Sequence, residues 1–206
     1  MAWYGEKYRN VAADPNWLAL SLIANAAKEG EGAQKLWRLV ARTEDQEVAE
    51  QIRMHAVDEA RHARLYIVLL ETAFPEAVSE ELRPSLLALS PGYSPKDRPT
   101  TSQPVAENYV LDELIQMNIG EIRTRIHQLL LRPVLTVYCP SDRRGKLQKI
   151  LDSLLDDETR HIEYTARLIE RGCNRGFGDF VYHTMAKRLD EFNHITLREV
   201  GELTFD

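Results

Sequence analysis

The sequence predicts an all-α protein: a four-helix bundle with one long crossover between its second and third helices and an extra C-terminal helix. Three observations carry this. Apolar residues recur at helical spacing through four long segments. Six of the nine prolines fall within residues 74–104 and leave the long segments nearly free of breakers. The same motif, Asp-Glu-x-Arg-His, stands in the second and fourth of those segments.

The elements follow in order. Asp14-Pro15 is a start signal, an N-cap with proline at the first helical position, and the first helix runs to about Arg42. Thr43, with Gln46 three residues on, reads as a capping box for a second helix that ends before Pro75. Residues 74–104 form the crossover, with a short helix around Ser79–Leu89. The third helix begins after Pro104 and stops near Arg132-Pro133; Ser141 caps the fourth, which ends near Gly172. From Phe177 the spacing of Phe177, Val181, Met185, Leu189 and Phe192 predicts a packing helix over about 177–200. The bundle thus spans about 15–172 of a single domain, 1–206. Short, long, short connections are the signature of the ferritin-like bundle, whose one crossover travels the bundle's length.

Composition bounds the function. With 44% hydrophobic residues the chain can bury a core, and the apolar stretch Leu18–Ala27, interrupted by Ser21 and Asn25, is too short to span a bilayer. The start shows no basic segment followed by an apolar run, so no secretory leader is expected and the compartment predicted is the cytoplasm. A net charge of -6 argues against a general nucleic-acid binder. Two cysteines, Cys139 and Cys173, read as free thiols.

The chemistry lies in Asp58-Glu59-Ala60-Arg61-His62 and Asp157-Glu158-Thr159-Arg160-His161. Glu and His three apart project from one helix face, so each pair can grip one ion, and two facing helices hold two ions side by side. One copy would be an ordinary charged face; two copies in matching helices predict a dinuclear centre. Charge balance asks for one more glutamate from each remaining helix. Glu121 is the acidic residue in the middle of the third. In the first helix, amphipathicity favours Glu29, which shares a stripe with Leu22, Ala26, Ala33 and Leu36. Glu31 instead aligns with Glu121 as an internal repeat, Gly30-Glu31 matching Gly120-Glu121.

Around these ligands, Asp58 and Asp157 are expected to accept the second ring N–H of the histidines across the helix pair, Asp58 from His161 and Asp157 from His62. Arg61 and Arg160 would hold those aspartates. Gly30, Gly120, Thr124 and Tyr164 are candidate pocket residues, whereas His55, His127, His183 and His194 lack a partner motif and read as structural. Carboxylate and imidazole without thiolate suit two iron ions, with manganese or a mixed Mn/Fe pair as alternatives.

At these residues the chain resembles the ferritin-like non-haem di-iron superfamily, and locally aldehyde-deformylating oxygenase. That family has a Glu-Gly-Glu on its first helix whose second glutamate binds metal, which implies Glu31 in Glu29-Gly30-Glu31. Its Leu-Ile-Gln before the third-helix ligand is similar to Leu114-Ile115-Gln116 before Glu121, and its tyrosine three after the last histidine is similar to Tyr164. The full set expected is therefore Glu31, Glu59, His62, Glu121, Glu158 and His161. The resemblance implies an O2-activating oxidase or oxygenase acting on a small organic substrate. With no flavin, nicotinamide or iron–sulfur motif in the chain, electrons are expected from an external donor or reductase. A homodimer is compatible with this, and no nucleic-acid or membrane partner is expected. The alternative is an iron-handling or peroxide-scavenging protein of the bacterioferritin or rubrerythrin type.

Overall fold

The computed structural model describes residues 2–202, with side-chain detail for residues 4–195. Helices run in the order α1 (Ala2–Val11), α2 (Pro15–Val40), α3 (Gln46–Ala73), α4 (Arg83–Leu87), α5 (Glu107–Tyr138), α6 (Arg144–Gly172) and α7 (Gly178–Glu202), with a π-helical turn at Cys173–Phe177. No strand occurs among the described residues. The four predicted bundle helices are α2, α3, α5 and α6.

Two apolar layers hold the bundle together. Leu18 and Leu22 of α2, Leu69 and Leu70 of α3, Leu131 and Leu135 of α5, and Leu147 and Leu151 of α6 form one. The other joins Leu36 and Leu39, Val48 and Ile52, Leu111 and Leu114, and Leu168 and Ile169 of the same helices. Following the chain from layer to layer gives the topology: α2 and α6 run one way, α3 and α5 the other. Between Ala73 and Glu107 the chain must therefore return along the whole bundle. It arrives beside the α2–α3 turn, where Ser102 N–H donates to the Ala41 carbonyl at 2.8 Å and Val105 N–H to that of Arg42 at 3.0 Å. The π-helical turn lets the chain swing from α6 into α7, with Gly176 at φ 96, a value that favours glycine. Val181 of α7 is buried in the second layer, with Phe177, Met185 and Phe192 packed against it; Leu189 of the predicted stripe is 47% exposed instead. No helix among the described residues is long and apolar enough to cross a membrane. Both cysteines are free, Cys139 buried and Cys173 exposed.

Several boundaries differ from expectation, each for a local reason. Asp45, not Thr43, caps α3: its carboxylate accepts from Glu47 N–H and Val48 N–H, while the Thr43 hydroxyl donates back to the Leu39 carbonyl. Asp14 caps α2 as predicted, accepting from Asn16 N–H at 2.9 Å. No side chain caps α6, so Ser141 has no such role. α5 runs through Pro133 to Tyr138: the proline removes one ladder bond, but Leu131 and Leu135 on either side are fully buried, and that packing carries the helix onward. α1 has no counterpart in the sequence reading; it is held by Tyr8, which packs edge-on against Trp17 and His127.

Gly30 is not a pocket residue. A methyl group there would overlap the Leu89 carbonyl oxygen, because the crossover lies directly on α2 at this point. Ser90 completes the contact by donating to the Ala60 carbonyl at 2.6 Å. At Gly120 the same methyl would meet only Phe192 at 3.8 Å, ordinary contact. Gly30→Ala should therefore cost about 1–3 kcal/mol through overpacking, whereas Gly120→Ala should stabilise by up to about 1 kcal/mol through helix propensity. Chemical denaturation of the two variants, read by helix signal, checks the opposite signs.

Candidate metal centre

The polar layer lies between the two apolar ones. α3 brings His55, Glu59 and His62 to it, at spacings of four and three that keep them on one face. α6 brings Asp157, Glu158 and His161; all six residues are buried, and Asp58, Arg61 and Arg160 lie at the edge. Two groups of donor atoms converge here, Glu29–Glu59–His62 and His55–Glu59–Glu121–His161, with the atoms of each group within 4.8 Å of one another. Glu158 lies between them, with Oε1 3.6 Å from His62 Nδ1 and Oε2 3.8 Å from His161 Nδ1.

The structure brings Glu29 into the cluster and places Glu31 on the exposed face, which corrects the choice of Glu31. The physical reason is rotation: at 3.6 residues per turn, two residues turn the helix by about 200°. Glu29 sits on the buried stripe of Leu22, Ala26, Ala33 and Leu36, so Glu31 must face the other way. The Gly-Glu repeat misled because the two glycines do different work, Gly30 admitting the crossover and Gly120 lying under α7. Glu59, His62, Glu121, Glu158 and His161 all face the common centre.

The histidine supports cross between helices as expected. His62 Nε2 stands 3.2 Å from Asp157 Oδ2, and His161 Nε2 stands 3.3 Å from Asp58 Oδ2. Arg61 donates to Asp157, and Arg160 donates to Asp58 and to Asp157, each at 2.6 Å. Burial alone would raise the Asp157 carboxyl, but His62, Arg61 and Arg160 outweigh it and hold it well below the usual carboxylate range; Asp58 is lowered in the same way by His161 and Arg160. Ionised carboxylates only accept, so each Nε2 carries the donated hydrogen and each Nδ1 faces the centre.

Both inward nitrogens lack partners, as do three further donors of the layer. His62 Nδ1, His161 Nδ1, His55 Nε2, Glu59 Oε1 and Glu158 Oε2 are buried and make no hydrogen bond. Buried polar atoms are rarely left so. Their spacings suit a cation: for metal–ligand bonds of about 2.1 Å, neighbouring donors stand roughly 3.0–3.4 Å apart. His62 Nδ1 lies 3.4 Å from Glu59 Oε1, and His55 Nε2 lies 3.2 Å from Glu121 Oε1. The donors present therefore fit a metal ion, and the two donor groups share Glu59.

The structure corrects the reading of His55 as structural, placing it in the second donor group, and adds Gln128 and Tyr66, which no motif marks. His55 stands one turn before Glu59 on the same face, Gln128 seven residues after Glu121, and Tyr66 seven after Glu59, so helical phase relative to the ligands was the available signal. Gln128 donates to Glu158 Oε1 at 2.8 Å. Tyr66 is fully buried; burial first, then the charges of Glu29 and Glu158, push its phenol well above its usual value. Tyr164, expected at the pocket, is buried with its hydroxyl 2.8 Å from His55 Nδ1, while Thr124 is only half-buried on α5. His127 packs on Tyr8 and lies outside the cluster; His183 and His194 are on α7, with His194 3.6 Å from Asp190.

A cleft of about 200 Å³ opens in the second apolar layer, walled by Val48, Leu111, Leu114 and Leu168 and rimmed by Arg171. Val48, Leu114 and Leu168 each lie seven residues from His55, Glu121 and His161, about 10 Å along the same helices. No protein-family model, curated protein or solved structure matches this chain.

Without metal, the carboxylates must share protons. Burial first, then Glu59, holds Glu29 well above the usual range; burial and then Glu121 push Glu158 up to about 8. Glu59 and Glu121 are held low despite burial, Glu59 by the approach of Glu29, His55 and His62, and Glu121 by Glu158, His55 and His161. Burial disfavours charge on His62, but Asp157, Glu59 and Glu158 lift it to about 9. Raised groups stabilise the fold fully below their unfolded values, 4.5 for Glu158 and 6.5 for His62, and lose that contribution as pH rises through the folded ones. The Tm of the metal-free protein should accordingly fall between pH 6 and pH 9, while the Tm increment from added metal grows with pH as protons are displaced. Thermal melts with and without chelator check this, and a flat metal-free profile would contradict the buried cluster. In parallel, Glu29→Ala should weaken metal binding by at least about tenfold and Glu31→Ala should leave it unchanged, as equilibrium dialysis would report.

Proposed function

We propose that this chain is a ferritin-like non-haem di-iron oxidase or oxygenase that activates O2 to oxidise a small organic substrate. The observation that carries the reading is the set of unpartnered inward donors, with both motif histidines anchored outward on the aspartate of the opposite helix. The topology supports it, since parallel α3 and α5 joined by a full-length crossover is the ferritin-like arrangement. Glu29, Glu59, His62, Glu121, Glu158 and His161 would hold the ions, and the carboxylate–imidazole donor set suits iron or manganese. Cys139 and Cys173 are separate from the cluster.

Two ferrous ions bound there supply the electrons and Lewis acidity that O2 reduction needs. The chain's own residues do the rest. Asp58 and Asp157 set the tautomers of His161 and His62, and Arg61 and Arg160 keep those aspartates ionised. Gln128 fixes one oxygen of Glu158 and leaves the other inward. Glu158 and Glu29, held protonated at neutral pH without metal, release those protons when cations replace them. The apolar layers flank the centre on both sides, and the Val48–Leu114–Leu168 cleft in one of them would be the approach for an apolar substrate. Electrons for turnover come from an external donor.

Anaerobic ferrous titration should saturate near about two ions per chain, the stoichiometry of such carboxylate-bridged bundles. The reduced protein should then consume O2 faster than free ferrous iron at the same concentration. His62→Ala and His161→Ala should each lower occupancy while helix content stays near wild type. Saturation at one ion or none in the folded protein would remove the dinuclear reading. Assembly into a closed shell with mineralised iron would instead favour iron storage.

A further inference from the structure

We propose that His55 is itself a metal ligand, so that the centre is asymmetric, with two imidazoles on one ion and one on the other. This rests on the dinuclear reading above. His55 is 1% exposed and lies one turn before Glu59 on α3. Its Nε2 faces Glu121 Oε1 at 3.2 Å and Glu59 Oε1 at 3.3 Å, yet makes no well-directed hydrogen bond to either. It shares one compact donor group with Glu59, Glu121 and His161. The ring stacks on that of His161, centroids 3.7 Å apart and planes 26° from parallel, as two imidazoles reaching one ion from adjacent directions can do. The other group, Glu29, Glu59 and His62, has a single nitrogen.

The hydrogen bonds behind His55 decide which nitrogen is free. Its Nδ1 lies 2.8 Å from the Tyr164 hydroxyl, and that hydroxyl lies 3.9 Å from Met117 Sδ. A thioether only accepts, so the Tyr164 hydrogen points to Met117 and its oxygen accepts from His55 Nδ1–H. Once a cation displaces the proton on the other nitrogen, the inward Nε2 presents its lone pair to the centre. His55 is thus oriented by Tyr164 through Nδ1, the mirror of His62 and His161, which are oriented by aspartates through Nε2. Tyr164 is a positioning residue: it reaches the ion only through His55.

An added imidazole raises affinity for divalent first-row metals, so the two ions should bind in sequence, the His55 side first. Anaerobic titration of the full chain with Co²⁺, followed by visible absorption and by dialysis, reads both steps. His55→Ala should weaken the tighter step by at least about tenfold, keep saturation at two ions, and shift the cobalt bands of the first ion. Free imidazole should restore both band position and affinity by filling the vacated space. Tyr164→Phe should weaken the same step less, leaving the bands near wild type. If His55→Ala does not fold, His55→Gln, which offers no ring nitrogen, is read in the same way. Two steps of wild-type affinity with unchanged cobalt bands in the His55 variant would overturn this assignment and leave the dinuclear centre standing. A wild-type chain that binds no cobalt or iron would overturn both.

Discussion

Four glutamates in the middle of an apolar bundle are the constraint on which the rest of the structure depends. Two unit charges about 4 Å apart repel by about 4 kcal/mol even at an effective dielectric of 20. Glu29, Glu59, Glu121 and Glu158 cannot all be ionised there without counter-charge. The molecule answers with two proton-sharing pairs, Glu29 with Glu59 and Glu121 with Glu158, each with one member pushed up and the other held down. Three imidazoles, each favoured in its charged form by the neighbouring carboxylates despite burial, complete the balance. Such an arrangement is a poor way to stabilise a bundle and a good way to hold cations, because ions replace protons that the core must otherwise keep.

That charged layer also organises the helices. Asp58 and Asp157 each face the histidine of the opposite helix, with Arg160 bridging both aspartates and Arg61 closing on Asp157. The two motif helices are thus joined by a reciprocal polar seam, while α2 packs on α3 and α5 on α6 as hairpins. The seam sits at the surface edge of the layer, where the arginines stay half in water, and the donor atoms lie inside it. The geometry separates roles by depth: ionised aspartates outside set tautomers, and unpartnered donors inside converge.

The crossover is the other structural commitment. Because α3 and α5 run the same way, the chain must return along the bundle, and it does so pressed against α2 at Gly30 and α3 at Ala60. The glycine that looked like pocket space in the sequence is where backbone meets backbone. The apolar cleft opens instead at the end of the bundle where the crossover arrives, near Val105 and Glu107.

The duplicated Asp-Glu-x-Arg-His motif, its helical phase and the proline-rich connection were enough for the sequence by itself to determine the four bundle helices, the crossover and the motif donors Glu59, His62, Glu158 and His161. Those features are local: Glu and His three apart share a face in any helix, and prolines end helices wherever they fall in number. Even the crossed aspartate pairing was legible, because two identical motifs on facing helices put each aspartate beside the other's histidine. Tertiary structure alone decided what depends on rotation and on neighbours. Glu29 over Glu31 is a matter of about 200° of helix rotation, set by which stripe the other helices bury. His55 became part of the centre because α6 stacked His161 on it and Tyr164 held its far nitrogen. α5 passed Pro133 because Leu131 and Leu135 were buried on either side. In each case the deciding partner lies far away in sequence, and only packing brings it within reach.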